Sequence, residues 1–346
     1  MAPSFTVIAT AGKPILHRDD FWLTEAPVHD EENGLTWFTD IPRGVVYSFD
    51  IKVGQESLKR IEVGEYVGCL ALIEGDKEHL AVGAKRGFGK LNTGTGKLEY
   101  YNILYPDDQA KQDLMRINDG AVDVKGRYWA AAMRSFGLGV PQNEGAVFCS
   151  DTKKSLRTVK HPVAGPNGFA FSPDNSIMYF VETRLQTIFS YDYDPETGSA
   201  TNEIEFIKFD PEVHGPGAPD GIAISEDGDL WVAVFNGNKV IRFDSKTKDV
   251  KGIIEVPTSK QVACPAFVGE GLVITTGKLV HMDPEVGKGH SPDAGDVFYV
   301  PLPGIKGAEV YKVRAAGTRL NMDLINIQCD VVFFNDNDIM TMRSYS

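Results

Sequence analysis

Brief runs of Val, Ile, Phe, Tyr and Trp recur along the chain, punctuated by Gly, Asp and Asn. Short apolar runs closed by turn formers predict strands rather than helices. A helical period is legible only around residues 107–115, where DQAKQDLM fits one short turn. The pattern predicts an all-β chain.

The strand pairs also repeat. GDLWVAVFNGNKVIRFD (228–244) reads as strand, tight turn, strand, with Asn236-Gly237 as a hairpin turn taking positive φ at both central positions. Similar pairs stand at 35–50, 127–151 and 177–192, with weaker copies at 79–92 and 271–302. Their central anchors are Trp37, Leu80, Trp129, Tyr179, Trp231 and Val273, spaced 43, 49, 50, 52 and 42 residues apart. Six copies at that period, each long enough for about four strands, predict a six-bladed β-propeller spanning 1–346 as one domain. A pair of β-sandwich domains would not generate six copies at one period. Residues 5–9 (FTVIA) are placed to complete the last blade and latch the ring. The stretch 317–346 belongs to no repeat, and its Val331 to Phe334 run predicts a packed strand.

Charge then narrows the function. Lys and Arg number 35 against 48 Asp and Glu, a formal net charge of −13, which argues against a nucleic-acid partner. Cys69, Cys149, Cys264 and Cys329 form no CxxC pair, so neither a zinc knuckle nor a disulfide framework is expected. No apolar run is long enough to span a membrane, and the start lacks a signal-peptide pattern, so a cytoplasmic location is expected.

GxSxG, HExxH, P-loop and GxGxxG motifs are absent, and the seven histidines show no i, i+4 pairing. Residues 192–198 superficially suggest a calcium loop but lack its defining Gly and Glu, which leaves a hairpin turn. What remains is a set of polar clusters: Thr24-Glu25-Ala26-Pro27, Arg116-Ile117-Asn118-Asp119-Gly120, Gly165-Pro166-Asn167-Gly168 and Ala218-Pro219-Asp220-Gly221. Taken singly, Pro-Asn-Gly, Pro-Asp-Gly and Asn-Asp-Gly are turn sequences. Here each lies 8 to 13 residues before the anchor of a different repeat, so their side chains are expected to converge on one end of a central channel. Oxygen-only Glu, Asn and Asp donors suit a hard divalent cation.

At these residues the chain resembles the regucalcin (senescence marker protein) and gluconolactonase family of sugar lactonases. The resemblance is carried by EAPVHDEENGLTWFTDI, RINDGAVDVKGRYWAAAM, AGPNGFAFSPDNSIMYFVET and GAPDGIAISEDGDLWVAVFNGNKVIRFD. It implies one divalent cation (Ca, Zn, Mg, Mn or Fe(II)) held in the channel by Glu25, Asn167 and Asp220. It further implies that Arg116 and Asn118 hold the substrate's oxygens and that Asp220 doubles as the base activating water. His29 and Ala131-Ala132 depart from the family pattern, and the loop 134–144, which lids the site in the family, does not align.

The implied activity is hydrolysis of the intramolecular ester of a sugar-acid (aldono) lactone. The cation polarises the carbonyl and Asp220 takes the proton of water, so no serine nucleophile is needed. Two alternatives stay open at this point: a non-catalytic calcium-binding propeller, and hydrolysis of a non-sugar ester, anhydride or phosphotriester at the same metal. The partner expected is a small lactone, with no nucleic acid and no membrane, for a monomer or homodimer.

Overall fold

The computed structural model describes residues 5–151, 155–278 and 291–314. After a short strand β1 (Val7–Thr10), the chain lays down a meander of β2 (Thr24–Asp30), β3 (Leu35–Asp40), β4 (Val45–Asp50) and β5 (Lys59–Glu62). The next is β6 to β9 (Val67–Ile73, Asp76–Ala84, Gly87–Asn92, Leu98–Ile103). The third is β10 to β13 (Met115–Val122, Tyr128–Arg134, Gly145–Ser150, Leu156–Val163), and the fourth is β14 to β17 (Pro166–Phe171, Ile177–Glu182, Thr187–Asp194, Ser199–Lys208). Each meander is its own four-stranded antiparallel sheet. The remaining strands, β18 to β24 (Ala218–Ile224, Leu230–Phe235, Lys239–Phe243, Val250–Glu255, Gln261–Phe267, Gly271–Gly277, Phe298–Pro301), join β1 in one eight-stranded sheet.

The architecture is all-β and propeller-like, yet six separate sheets do not form. The pairing of Phe235 with Gln261 ties β19 to β22 and fuses what six repeats would keep apart. The N-terminal segment also departs from expectation. It pairs in parallel with β21 rather than with the last strands, and Leu16 bridges Val297 further on. The expected strand around 331–334 lies outside the described residues.

Four predicted anchors fall on the second strand of a meander, Trp231 and Val273 fall on β19 and β23 of the eight-stranded sheet, and all six are buried. These strands are covered on both faces, so their apolar side chains run on nearly without alternation and are buried on either side. The indole N–H of Trp129 donates to Asp123 Oδ2 at 3.0 Å and that of Trp231 to Ser225 Oγ at 3.1 Å, so neither buried donor is left unpaired. Apolar clusters fill the space between successive meanders, for example Val28, Trp37, Leu70 and Leu80 between the first two. Another cluster, with Phe38, Tyr47, Val273 and Phe298's neighbour Val297, brings the last strands back against the first. The first strands β2, β6, β10, β14, β18 and β22 pack on one another in closed cyclic order.

The helical turn expected near 107–115 is α1 (Gln109–Leu114), opened by Asp108, whose side chain accepts from Lys111 N at 2.9 Å. At the 236–237 hairpin, positive φ falls on Asn236 and Asn238, not on Gly237. Gly237 is there for space: a Cβ on it would stand 2.5 Å from Val234 Cγ1 and 2.8 Å from Pro216 O. No described helix is long and apolar enough to cross a membrane.

Candidate metal and substrate site

A break in strand register places every polar cluster. In β2 the pairing shifts between Glu25 and Val28, in β10 between Ile117 and Asp119, in β14 between Pro166 and Phe169, and in β18 between Pro219 and Ile222. The inserted residues are Ala26-Pro27, Asn118, Asn167-Gly168 and Asp220-Gly221. A bulge bends its strand and re-aims the side chains around it, here towards the axis that the inner strands share. Ala26 accommodates its bulge at φ 48, the left-handed region that a Cβ disfavours, which turns its N–H onto Glu25 Oε2 at 3.0 Å. Gly221 allows β18 and β22 to meet, since a Cβ would stand 2.7 Å from Cys264 Cα.

Hydrogen bonds then fix the amides. Arg116 Nη1 donates to Asn118 Oδ1 at 2.7 Å and to Ile117 O at 3.2 Å. Asn118 Nδ2 donates to Asn167 Oδ1 at 2.7 Å and to Pro166 O at 2.8 Å. Asn167 Nδ2 donates to Thr183 Oγ1 at 2.6 Å, which in turn donates to Pro219 O at 2.7 Å. This chain runs from β10 through β14 to β18, and it leaves each amide oxygen a second lone pair. Arg116 is 2% exposed, its guanidinium lies 4.0 Å from the centroid of Phe136, and its Nε has no partner. Burial lowers its pKa to about 10.

Electrostatically the site is short of positive charge. Burial pushes the Glu25 carboxyl up to about 8, with Asp119 repelling it and the Ala26 N–H and Arg116 opposing the rise. Burial likewise raises Asp119 to about 7 against the Gly120 N–H. Asp220 is held well above its ordinary value by burial, then by Glu25 and Asp119. Three buried carboxylates thus repel one another beside a single buried arginine. Burying like charges costs free energy unless a counter-ion arrives. Oxygen donors with surplus negative charge fit a hard divalent cation, so Glu25, Asn167 and Asp220 could hold one. Among the described residues, no three His, Cys, Asp or Glu side chains alone gather into a metal-holding group. In such a set the third donor would be the Asn167 amide oxygen.

Residues 23–278 match the model of the SMP-30/Gluconolactonase/LRE-like region. The chain belongs to that family. It is 32% identical over 282 residues to "Putative sugar lactone lactonase YvrE" of Bacillus subtilis (strain 168), covering 80% of this chain and 90% of that protein. It is 30% identical to regucalcin of Homo sapiens, covering 83% and 93%. Among solved structures, a luciferin-regenerating enzyme superposes with a TM-score of 0.75 at 26% identity, covering 85% of this chain and 95% of that one.

Two features of this family member escaped sequence reasoning. Asp119 sits in an Asn-Asp-Gly turn signature, which hides a carboxylate that repels Glu25 and Asp220. An acid directly after Asn118, a predicted substrate contact, was the available signal. Phe136 lies in the loop 134–144 that no motif aligned, and nothing in the sequence ties it to Arg116. Beyond Asp119 and Cys264 the channel continues as a mostly apolar cavity of about 190 Å³, lined by Val28, Leu70, Phe171 and Phe267 and covered by residues 308–311.

Proposed function

We propose that this chain is a divalent-cation-dependent hydrolase that opens the ester of a lactone, sugar-acid lactones being the class named among its relatives. The eight-stranded sheet is read as two blades, which makes six around the site. The observation that carries the reading is that Glu25, Asn118, Asn167 and Asp220 each stand at a register shift of a different inner strand, with Asn118 bonded to Asn167 and Glu25 acting on Asp220.

Glu25, Asn167 and Asp220 hold the cation in this reading. When bound, a divalent ion supplies Lewis-acid polarisation of an ester carbonyl. Asp220, whose carboxyl is raised by burial and by Glu25 and Asp119, is the group that would take a proton from water. Asn118 is locked between Arg116 and Asn167, so its amide is oriented before substrate arrives. Arg116 adds the positive charge that a cation-only site would have no use for, which favours an enzyme over a passive calcium binder.

The test is acid release from D-glucono-δ-lactone and simpler lactones by chelated protein, then after return of Ca, Zn, Mg, Mn or Fe(II) singly. Turnover should vanish on chelation and return with at least one ion. Protein that binds an ion stoichiometrically yet opens no lactone would overturn the enzymatic reading.

A further inference from the structure

A small apolar cluster stands apart from the core. Leu23, Ile41 and Ala263 pack with the partly buried rings of Tyr66, Phe136 and Phe235. Its members border the site in sequence or in register. Leu23 lies two residues before Glu25, Ala263 precedes Cys264, and Phe235 pairs with Ala218 at the start of the Asp220 strand. Phe136 covers the Arg116 guanidinium at 4.0 Å, and Tyr66 meets Phe136 edge to face at 5.6 Å between centroids.

The wall is held in place. Ser135 N donates to Leu114 O at 2.8 Å and its hydroxyl accepts from Lys85 Nζ at 2.9 Å. Arg134 donates to Leu138 O at 2.9 Å and pairs with Glu144 at 2.7 Å, which ties the start of the loop to its later residues. The same loop carries Leu138 and Val140, 43% and 60% exposed. Polar side chains near the mouth are meanwhile committed within the protein. Thr183 bridges Asn167 and Pro219, Gln261 donates to Asn236 at 2.8 Å, and Lys85 also donates to three backbone carbonyls. A polyhydroxylated ring could bond the few polar atoms left at the floor, Arg116 Nε among them, but its remaining hydroxyls would face the rings of this wall, whereas an alkyl or aryl arm would be sheltered there.

We infer that the site takes lactones bearing an apolar ring substituent in preference to polyhydroxylated sugar lactones, with Phe136 and Tyr66 as the specificity-determining residues. This rests on the lactonase reading for its chemistry and goes beyond it in substrate class. The experiment compares kcat/KM for δ-decalactone, δ-valerolactone and D-glucono-δ-lactone on the full chain with its activating ion. δ-Decalactone should exceed δ-valerolactone by about tenfold, because sheltering a methylene is worth roughly a fourfold factor and the wall covers only part of the arm. Phe136→Ser and Tyr66→Ser should each cut that ratio about threefold or more, while Tyr66→Phe, which keeps the ring, should preserve it. Preference for the glucono-lactone, or a ratio untouched by Phe136→Ser, overturns the inference and leaves the lactonase reading standing. If no lactone is opened, the lactonase reading falls, and calorimetry with unreactive lactams decides the inference separately. 6-Pentyl-2-piperidinone binding about tenfold more tightly than 2-piperidinone supports it, and equal affinity overturns it.

Discussion

Two kinds of inner strand surround the channel. β2, β10, β14 and β18 carry Glu25, Asn118, Asn167 and Asp220 at their bulges, while β6 and β22 shift register at the same level, between Val67 and Cys69 and between Val262 and Pro265, and carry cysteines there. Cys69 and Cys264 are buried, and burial drives both thiols up, so each stays neutral beside the acids. The repeated element is therefore the backbone break, not the chemistry. A bulge presents whatever residue occupies it, and only four of the six present oxygen donors. Neutral thiols at the other two close the ring without adding charge to an already crowded acidic site.

The largest effect that contrast predicts is on turnover. Asp220→Asn keeps an oxygen ligand of similar shape but cannot accept a proton, so kcat should fall by about two orders of magnitude or more with the cation retained. Cys264→Ala, made at the matching level of β22, should keep the cation and stay within about threefold of normal turnover. Metal content and kcat on the same preparations check both. A metal-replete Asp220→Asn protein with near-normal kcat would show Asp220 to be a ligand only.

Next in size is cation affinity. Asn167→Ala removes one donor and the partner of Asn118 Nδ2, and should weaken binding by about 10–100-fold. Isothermal titration with the activating ion measures this against Cys69→Ala, which should bind as the parent does. Equal weakening in the two variants would erase the distinction between the two kinds of strand.

Much of this was legible in the chain. The anchors are spaced by a period that the recurrence of strand, turn and strand reveals, and all six fall on β3, β7, β11, β15, β19 and β23. Three of the four polar bulges stood out as Pro-Asn-Gly, Pro-Asp-Gly and Asn-Asp-Gly in phase, though these read as turns, since local turn chemistry and the bend of a bulged strand draw on the same residues. The β6 and β22 bulges did not, because Gly68-Cys69 and Ala263-Cys264 carry no turn signature. The Phe235–Gln261 bridge and the pairing of β1 with β21 depend on contacts between distant repeats, which local pattern does not encode. Phe136 acquires its meaning only once its loop folds back over Arg116.

The smallest predicted effect concerns pH and the metal-free chain. Glu25 titrates near 8 in the folded protein against an ordinary value of 4.5. Between those values the folded state binds more protons than the unfolded one, so the associated stability is fully present below pH 4.5 and is lost as pH rises through about 8. Asp119, raised to about 7, and Asp220 act in the same direction. Thermal midpoints of chelated protein should therefore drop by several degrees between pH 5 and 8, at roughly 1–2 °C per kcal/mol for a chain of this length. Glu25→Gln removes one titrating acid and should flatten that slope, while Cys264→Ala should not, because the thiol stays protonated across the whole window. An added divalent ion competes with protons for the same oxygens, so its stabilising effect should grow as pH rises. Parallel slopes for the parent, Glu25→Gln and Cys264→Ala would mean that the acids at the bulges are not what sets the pH response, and that the two kinds of strand differ less than their side chains suggest.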